Sequence, residues 1–301
     1  MIPSEQSSAE GLRTLRKLSP LLTEEFTESL AERLSKPEEA ISFYWLGQAG
    51  FVLNTANWQL LIDPYLSDSL ARKYAGKSLA HIRMMEPPLR VEEVSRLDFV
   101  LCTHRHGDHM DPETIRCLAE KHSQCQFVVP APERDYMLSL GVAPDRLIGA
   151  VAEEQITLAA DLKVLPLPAA HERFKQDALW RHHYLGFLLS AANHRIYHSG
   201  DCIPFAGLAS RLRELTCEVA LLPVNGRDKF RESQGIPGNF TLEEAIQLCA
   251  EAEIKTMIAH HYGMFEFNTV ATESIDQAAT KVSQFVRVMR ARTAVRYSIS
   301  S

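Results

Sequence analysis

The rhythm of apolar and polar positions changes near residue 41. Before it, Leu12, Leu15 and Leu18 recur at helical spacing, and Ser19-Pro20 suits an N-cap followed by proline at the first helical position. Leu22, Phe26, Leu30 and Leu34 continue on one face, and Pro37 follows. This predicts a helical N-terminal extension over residues 1–40, packed by its apolar face on a main domain at 41–301. A dimer contact is the alternative use of that face. From Ile41 the texture turns β-branched and aromatic, which predicts strands. Ile41–Leu46, Phe51–Leu53, Gln59–Ile62 and Asp98–Cys102 read as strands, with Gly47–Gly50 as a turn. Pro112–Glu120 reads as a helix capped by Asp111. Farther on, strands are expected at Leu162–Leu167, Tyr184–Leu189, Arg195–His198, Val219–Leu222 and Thr256–Ala259. Helices are expected at Leu208–Leu215, Leu242–Ala252 and Ile275–Val288. Groups of strands separated by helices suit an α/β (α+β) protein in which two sheets pack face to face with helices outside. That is a four-layer αββα sandwich.

Composition adds limits. A chain of 301 residues can bury a sizeable core in one large domain or two small ones. Its net charge of -6 argues against a nucleic-acid surface without excluding a local basic patch. Six cysteines form no C-x-x-C pair. Met1–Glu10 is polar and lacks the apolar stretch of a signal peptide. No run approaches the roughly 18 apolar residues of a membrane span. The expectation is a cytoplasmic protein with reduced thiols and a small-molecule substrate, with no nucleic-acid partner and no membrane span. A homo-oligomer is left open.

The chemistry is concentrated in His104-Arg105-His106-Gly107-Asp108-His109, directly after an apolar strand. Imidazole and carboxylate together suit Zn, Mn or Fe. His104 and His106, two apart, can reach one point from an extended or loop backbone. Gly107 relaxes the chain so that Asp108 and His109 can turn to a second point. The spacing supports two adjacent divalent ions, Zn or Mn, with Fe also compatible. Asp63 ends an apolar strand and suits a carboxylate that takes the other N–H of a ligating histidine. Cys202 reads as a small buried residue.

This run, with Thr103 and the strand before it, resembles the metallo-β-lactamase superfamily. The resemblance implies further ligands at later strand ends: His171, Asp201 in His198-Ser199-Gly200-Asp201, and His261 before Tyr262-Gly263. It implies that His104, His106 and His171 hold one metal, that Asp108, His109 and His261 hold the other, and that Asp201 bridges. His260 is the alternative to His261; otherwise His260 and His198 are supporting residues behind the ligands. His81, His122, His182, His183 and His194 carry no pattern and read as surface residues.

Trp45–Phe51, Ile62–Leu66, Tyr197–Asp201, Pro223–Asp228, Gly238-Asn239, His261–Phe265 and Phe267-Asn268 resemble the bacterial L-ascorbate-6-phosphate lactonase-like branch. The implied activity is hydrolysis of a lactone or related ester, phosphorylated or not, with Asp108 orienting the nucleophile and moving protons. Alternatives are a phosphodiesterase acting on a cyclic nucleotide or phospholipid, and a non-hydrolytic di-iron redox or metal-binding protein. Asn225, Arg227, Asn239 and Tyr262 are the candidate substrate contacts.

Overall fold

The computed structural model describes residues 21–299. Its first half runs β1 (Leu21–Glu25), α1 (Leu30–Leu34), β2 (Ile41–Gly47), β3 (Gly50–Asn54), β4 (Gln59–Ile62), α2 (Ser69–Lys73), β5 (Phe99–Leu101), α3 (Pro112–Lys121), β6 (Gln126–Pro130), α4 (Arg134–Ser139) and β7 (Leu147–Ala150). The second half runs β8 (Ile156–Ala159), β9 (Leu162–Pro168), β10 (Leu185–Ala191), β11 (His194–His198), α5 (Leu208–Glu214), β12 (Val219–Pro223), α6 (Lys229–Ser233), α7 (Leu242–Glu251), β13 (Thr256–His260), α8 (Thr272–Val282), β14 (Arg287–Arg290) and β15 (Val295–Ile299). The strands form an eight-stranded sheet, ordered β1-β15-β2-β3-β4-β5-β6-β7, and a seven-stranded sheet, ordered β14-β13-β12-β11-β10-β9-β8.

Period-two alternation explains the layers. Phe43, Phe51, Leu60, Ile62 and Leu101 of the first sheet share one core with Val164, Leu167, Phe187, Ile196, Leu221 and Ile258 of the second. Their neighbours Tyr44, Val52, Leu61 and Val100 face the other way, onto Ile115, Leu118 and Met137 of α3 and α4. On the far side, Leu212, Leu248 and Ile275 bring α5, α7 and α8 against the second sheet. The result is the expected αββα sandwich. Strands buried on both faces read as near-continuous apolar runs, and β2 to β5 do.

Two of the predicted elements differ in the structure, and several short ones, β6 to β8 and β15 among them, are not in the sequence reading. Leu21–Glu25 is a strand that pairs antiparallel with β15, where a continued helix was expected. A free ladder on β15 outweighs the local helical spacing, and among the described residues of the extension only Leu30–Leu34 is helical. Leu12, Leu15, Leu18 and the Ser19-Pro20 cap lie outside the described residues. The helix expected to reach Val288 stops at Val282, and Arg287–Arg290 pairs parallel with β13 instead.

Strands β4 to β7 are parallel, as are β11 to β14. Their carboxyl ends form the rim on which α/β sheets commonly place ligands. Asp63 follows β4, the histidine run follows β5, and Asp201, Asn225 and His261 follow β11, β12 and β13. No helix among the described residues is long and apolar enough to cross a membrane, and all six cysteines are free thiols.

Candidate metal centre

Asp63 organises the run after β5. Its backbone is left-handed, at φ 45°. Its Oδ1 accepts from Thr103 N at 2.7 Å, and its Oδ2 accepts from Thr103 Oγ1 at 2.6 Å. His109 Nδ1 lies 2.7 Å from the same Oδ2 and donates to it. One buried carboxylate therefore clamps both ends of the run.

These bonds assign tautomers. Thr103 Oγ1 spends its proton on Asp63, so it accepts from His104 Nδ1 at 3.1 Å. His171 Nδ1 donates to Gly238 O at 3.1 Å. In His104, His109 and His171 the Nδ1–H is engaged and Nε2 is the nitrogen left for a metal, the arrangement metal-binding histidines adopt. His104 Nε2 and His109 Nε2 are buried without a hydrogen-bond partner.

The donors fall into two groups: His104, His106, His171 and Asp201, and Asp108, His109 and His261. Within each, the ligand atoms lie within 4.8 Å of one another. Asp201 faces both. Its Oδ2 is 3.5 Å from His171 Nε2. Its Oδ1 is 3.3 Å from His109 Nε2 and 3.2 Å from His261 Nε2. Asp108 Oδ2 stands 3.7 Å from His261 Nε2 and 3.8 Å from His109 Nε2. These separations exceed those of charge-assisted hydrogen bonds. They suit donors around a shared ion with bonds of about 2.0 Å, which stand roughly 3.3 Å apart in a tetrahedron. The donor set fits divalent metal, and the orphaned nitrogens supply the same answer independently.

Charge in the centre follows its burial. Burial pushes the His104 and His106 imidazoles down, and that of His171 down to about 4, so all three are neutral near pH 7. Burial opposes charge on His109 too, but Asp201, Asp63 and Asp108 hold it well above the ordinary histidine value, so without an ion its Nε2 also carries a proton, and that nitrogen offers a lone pair only when an ion displaces it. Burial likewise works against ionised Asp201 and Asp108, yet His261 and His109 hold both carboxylates below their usual range.

Asp201 is aimed by a turn. Gly200 adopts φ 59°, and a Cβ there would meet Thr103 Cβ at 2.7 Å and Leu185 O at 2.9 Å. His198 stands behind this turn: its Nδ1 accepts from Gly200 N at 3.1 Å, and its Nε2 donates to Ala49 O at 2.8 Å. His260 is buried and stacks on His198 at 5.0 Å, outside both donor groups.

Gln48 was not singled out from sequence. It is fully buried in the turn between β2 and β3, at φ 49°. Its Nε2 lies 2.8 Å from Asp108 Oδ2 and 3.2 Å from His261 Nε2, so it ties two members of one group together. A glutamine in a short turn carries no spacing signal, and only the fold brings it here.

Four proposed substrate contacts are engaged elsewhere. Asn225 and Asn239 join through side chains at 3.0 Å, and Asn225 bonds Asn268 at 2.8 Å. Arg227 makes a bidentate pair with Glu244, both bonds at 2.6 Å. Tyr262 stacks on Trp45 at 5.1 Å and donates its hydroxyl to Ala291 O. The structure uses these residues to brace loops behind the donors. The mouth instead belongs to a cavity of about 350 Å³ whose lining includes His106, Asp108, Asp201 and His261 together with Lys73 and Lys77. His81, expected at the surface, also lines it, stacked on Tyr74 at 4.1 Å.

Comparison with known proteins bears on this geometry. The sequence matches the Beta-lactamase superfamily domain over residues 59–262. The chain belongs to the metallo-β-lactamase superfamily. It is 27% identical to a metal-dependent hydrolase of Hyperthermus butylicus, over 73% of this chain and 83% of that protein. It is 26% identical to the mitochondrial N-acyl-phosphatidylethanolamine-hydrolyzing phospholipase D of Saccharomyces cerevisiae, over 73% of this chain and 47% of the yeast protein. The chain thus spans about half the length of that relative. Igni18, a metallo hydrolase from Ignicoccus hospitalis, shares the superfamily fold with TM-score 0.63 at 19% identity, over 85% of this chain and 98% of its own.

Proposed function

We propose that this protein is a metal-dependent hydrolase that cleaves an anionic ester, in the first place a phosphodiester. The observation that carries the reading is the divided donor set beneath a cation-lined mouth. His104, His106 and His171 would hold one ion, Asp108, His109 and His261 a second, with Asp201 between them. Bound divalent ions lower the pKa of water and polarise a phosphoryl or carbonyl oxygen.

The chain supplies the rest. Asp108 reaches the cavity, as Asp201 does, and Gln48 fixes its Oδ2, so Asp108 can orient water and accept its proton. Asp63 keeps His109 in the tautomer that presents Nε2. Lys73, Lys77 and Arg105 line the same space and suit a negatively charged ester. The yeast relative's activity on a phospholipid supports the phosphodiester reading.

A lactone, phosphorylated or not, is the second reading. It is favoured by the segments that resemble the lactonase-like branch, and the same donors would serve it. Zn or Mn are the metals the nitrogen-oxygen donor set favours, with Fe compatible. The deciding experiment loads the protein separately with each metal and assays bis(p-nitrophenyl) phosphate, lactones and thioesters side by side, with metal content measured. Phosphodiester turnover that disappears with metal in His106→Ala is expected. Preferred lactone opening would move the assignment to the second reading. Fully loaded protein inert on every ester, with redox-active iron, would overturn both.

A further inference from the structure

A second cavity adjoins the metal centre, with a volume of about 310 Å³. Arg105 and His106 line both cavities, so the two meet at the donor group that contains His106. The second cavity is completed by Pro132, Glu133, Lys175, His183 and Tyr184. Glu133 closes the short 3₁₀ turn Ala131–Glu133 that follows β6, at the carboxyl rim of the first sheet. It is 6% exposed, and its Oε1 lies 2.5 Å from His183 Nδ1. A buried carboxylate can only accept there, so Nδ1 carries the proton and Nε2 is the ring atom left for the cavity.

The surrounding groups are basic. His183 N donates to Lys175 O at 2.9 Å, fixing the two residues side by side. The Arg105 guanidinium lies 4.0 Å from the centre of the Tyr136 ring, a face-on contact that limits where it can point. Tyr184 packs against His104 and His171, each at 5.3 Å between ring centres, so this wall is continuous with the donors. Among the described residues no carboxylate pairs with Arg105 or Lys175. The one acid in the lining, Glu133, is turned to His183.

We propose that this cavity is an anion subsite: Arg105 and Lys175 bind a non-scissile phosphate carried by the substrate, and a proton shared between a phosphate oxygen and Nε2 of His183 joins the ring to it. Glu133 is a positioning residue that fixes the His183 ring. The proposal rests on the phosphodiester reading and deepens it. The scissile group lies over the donors, one substituent enters the aromatic cavity beside Tyr74 and His81, and the other carries the second phosphate past His106.

The test has two arms. In the first, the metal-loaded protein hydrolyses a p-nitrophenyl phosphodiester of glycerol and the same compound with a second phosphate on its free hydroxyl. The doubly phosphorylated compound is expected to be preferred by about tenfold in kcat/KM, chiefly through KM. Arg105→Met, Lys175→Met and His183→Asn should each reduce that ratio by at least about threefold, and Glu133→Gln should reduce it less. Turnover without preference, or a preference these variants leave intact, overturns the subsite. In the second arm, nitrogen-15 histidine NMR follows the His183 ring, identified by its loss in His183→Asn, during titration with inorganic phosphate. A saturable shift that Lys175→Met weakens supports the subsite, and an unmoved His183 signal overturns it. Failure to hydrolyse either compound would remove the phosphodiester reading, while the second arm would still decide the subsite.

Discussion

Asp63 and His109, 46 positions apart, meet at 2.7 Å with neither side chain exposed to solvent. The far edge of the same imidazole stands 3.3 Å from Asp201. A carboxylate that accepts on one edge of a ring makes its other edge a better donor to a cation.

Asp63→Asn should therefore act on metal affinity before it acts on fold. The amide can still accept from Thr103 but no longer offers two charged oxygens. Affinity for the ion that Asp108, His109 and His261 are proposed to hold should fall about 10–100-fold, the range seen when such supporting groups are changed. Metal content after dialysis against graded chelator measures this. Unchanged retention would separate Asp63 from the centre.

Acid should unfold the metal-free protein early. Burial lowers the pKa of His104, His106, His171, His198 and His260 below the ordinary histidine value. Below about pH 6.5 the unfolded chain takes up protons at these rings and the folded chain does not. Their contribution is thus complete above that pH and is lost as pH falls, for His171 down to about 4. His109, raised well above the ordinary value, works oppositely, stabilising below about pH 6.5 and losing its contribution at higher pH. The melting temperature of chelator-treated protein should drop by more than about 5 °C between pH 7 and pH 5. A flat profile would contradict the assignment of these rings as buried and neutral.

Arg227 should prove structural. Its partner Glu244 also accepts from Thr241 N at 2.9 Å at the start of α7. Arg227→Ala loosens that cap, and because the pair is partly exposed the cost should be about 1 kcal/mol or less. Thermal unfolding should show a small loss, with KM changed less than about twofold. A large rise in KM would restore Arg227 to the substrate site.

Gly200→Ala should disable the centre without touching a ligand. The left-handed backbone and the 2.7 Å approach to Thr103 Cβ leave no place for a methyl group. A cost of about 1–3 kcal/mol is expected. Relief would move Asp201 away from His171 and His261, lowering metal content alongside melting temperature. Normal loading would show that the turn adapts.

The legible parts of this protein are those where local pattern and tertiary demand agree. β2 to β5 are apolar on both faces because both faces are covered, and the histidine run concentrates candidate ligands within one turn. His171, Asp201 and His261 are single residues at strand ends, and the family resemblance, not periodicity, pointed to them. β1 reads as helix from Leu22 and Phe26 because LLTEE carries no strand alternation of its own, and its pairing with β15 makes it a strand. His183 looked like a surface residue because its partner Glu133 is 50 positions away. The candidate substrate contacts show a related limit: loop polarity signals a bond, but not whether its partner is ligand or neighbouring loop.

The two oxygens of Asp201 face different donor groups, and this has a thermodynamic consequence. With two ions held as proposed, whichever binds first fixes the carboxylate that the second requires. Linkage makes the coupling mutual, so each ion changes the affinity of the other by the same factor. The preset carboxylate favours joint loading, while repulsion between neighbouring dications opposes it. Asp201 lies between the two, so replacing this single side chain would change how steeply metal content follows metal supply.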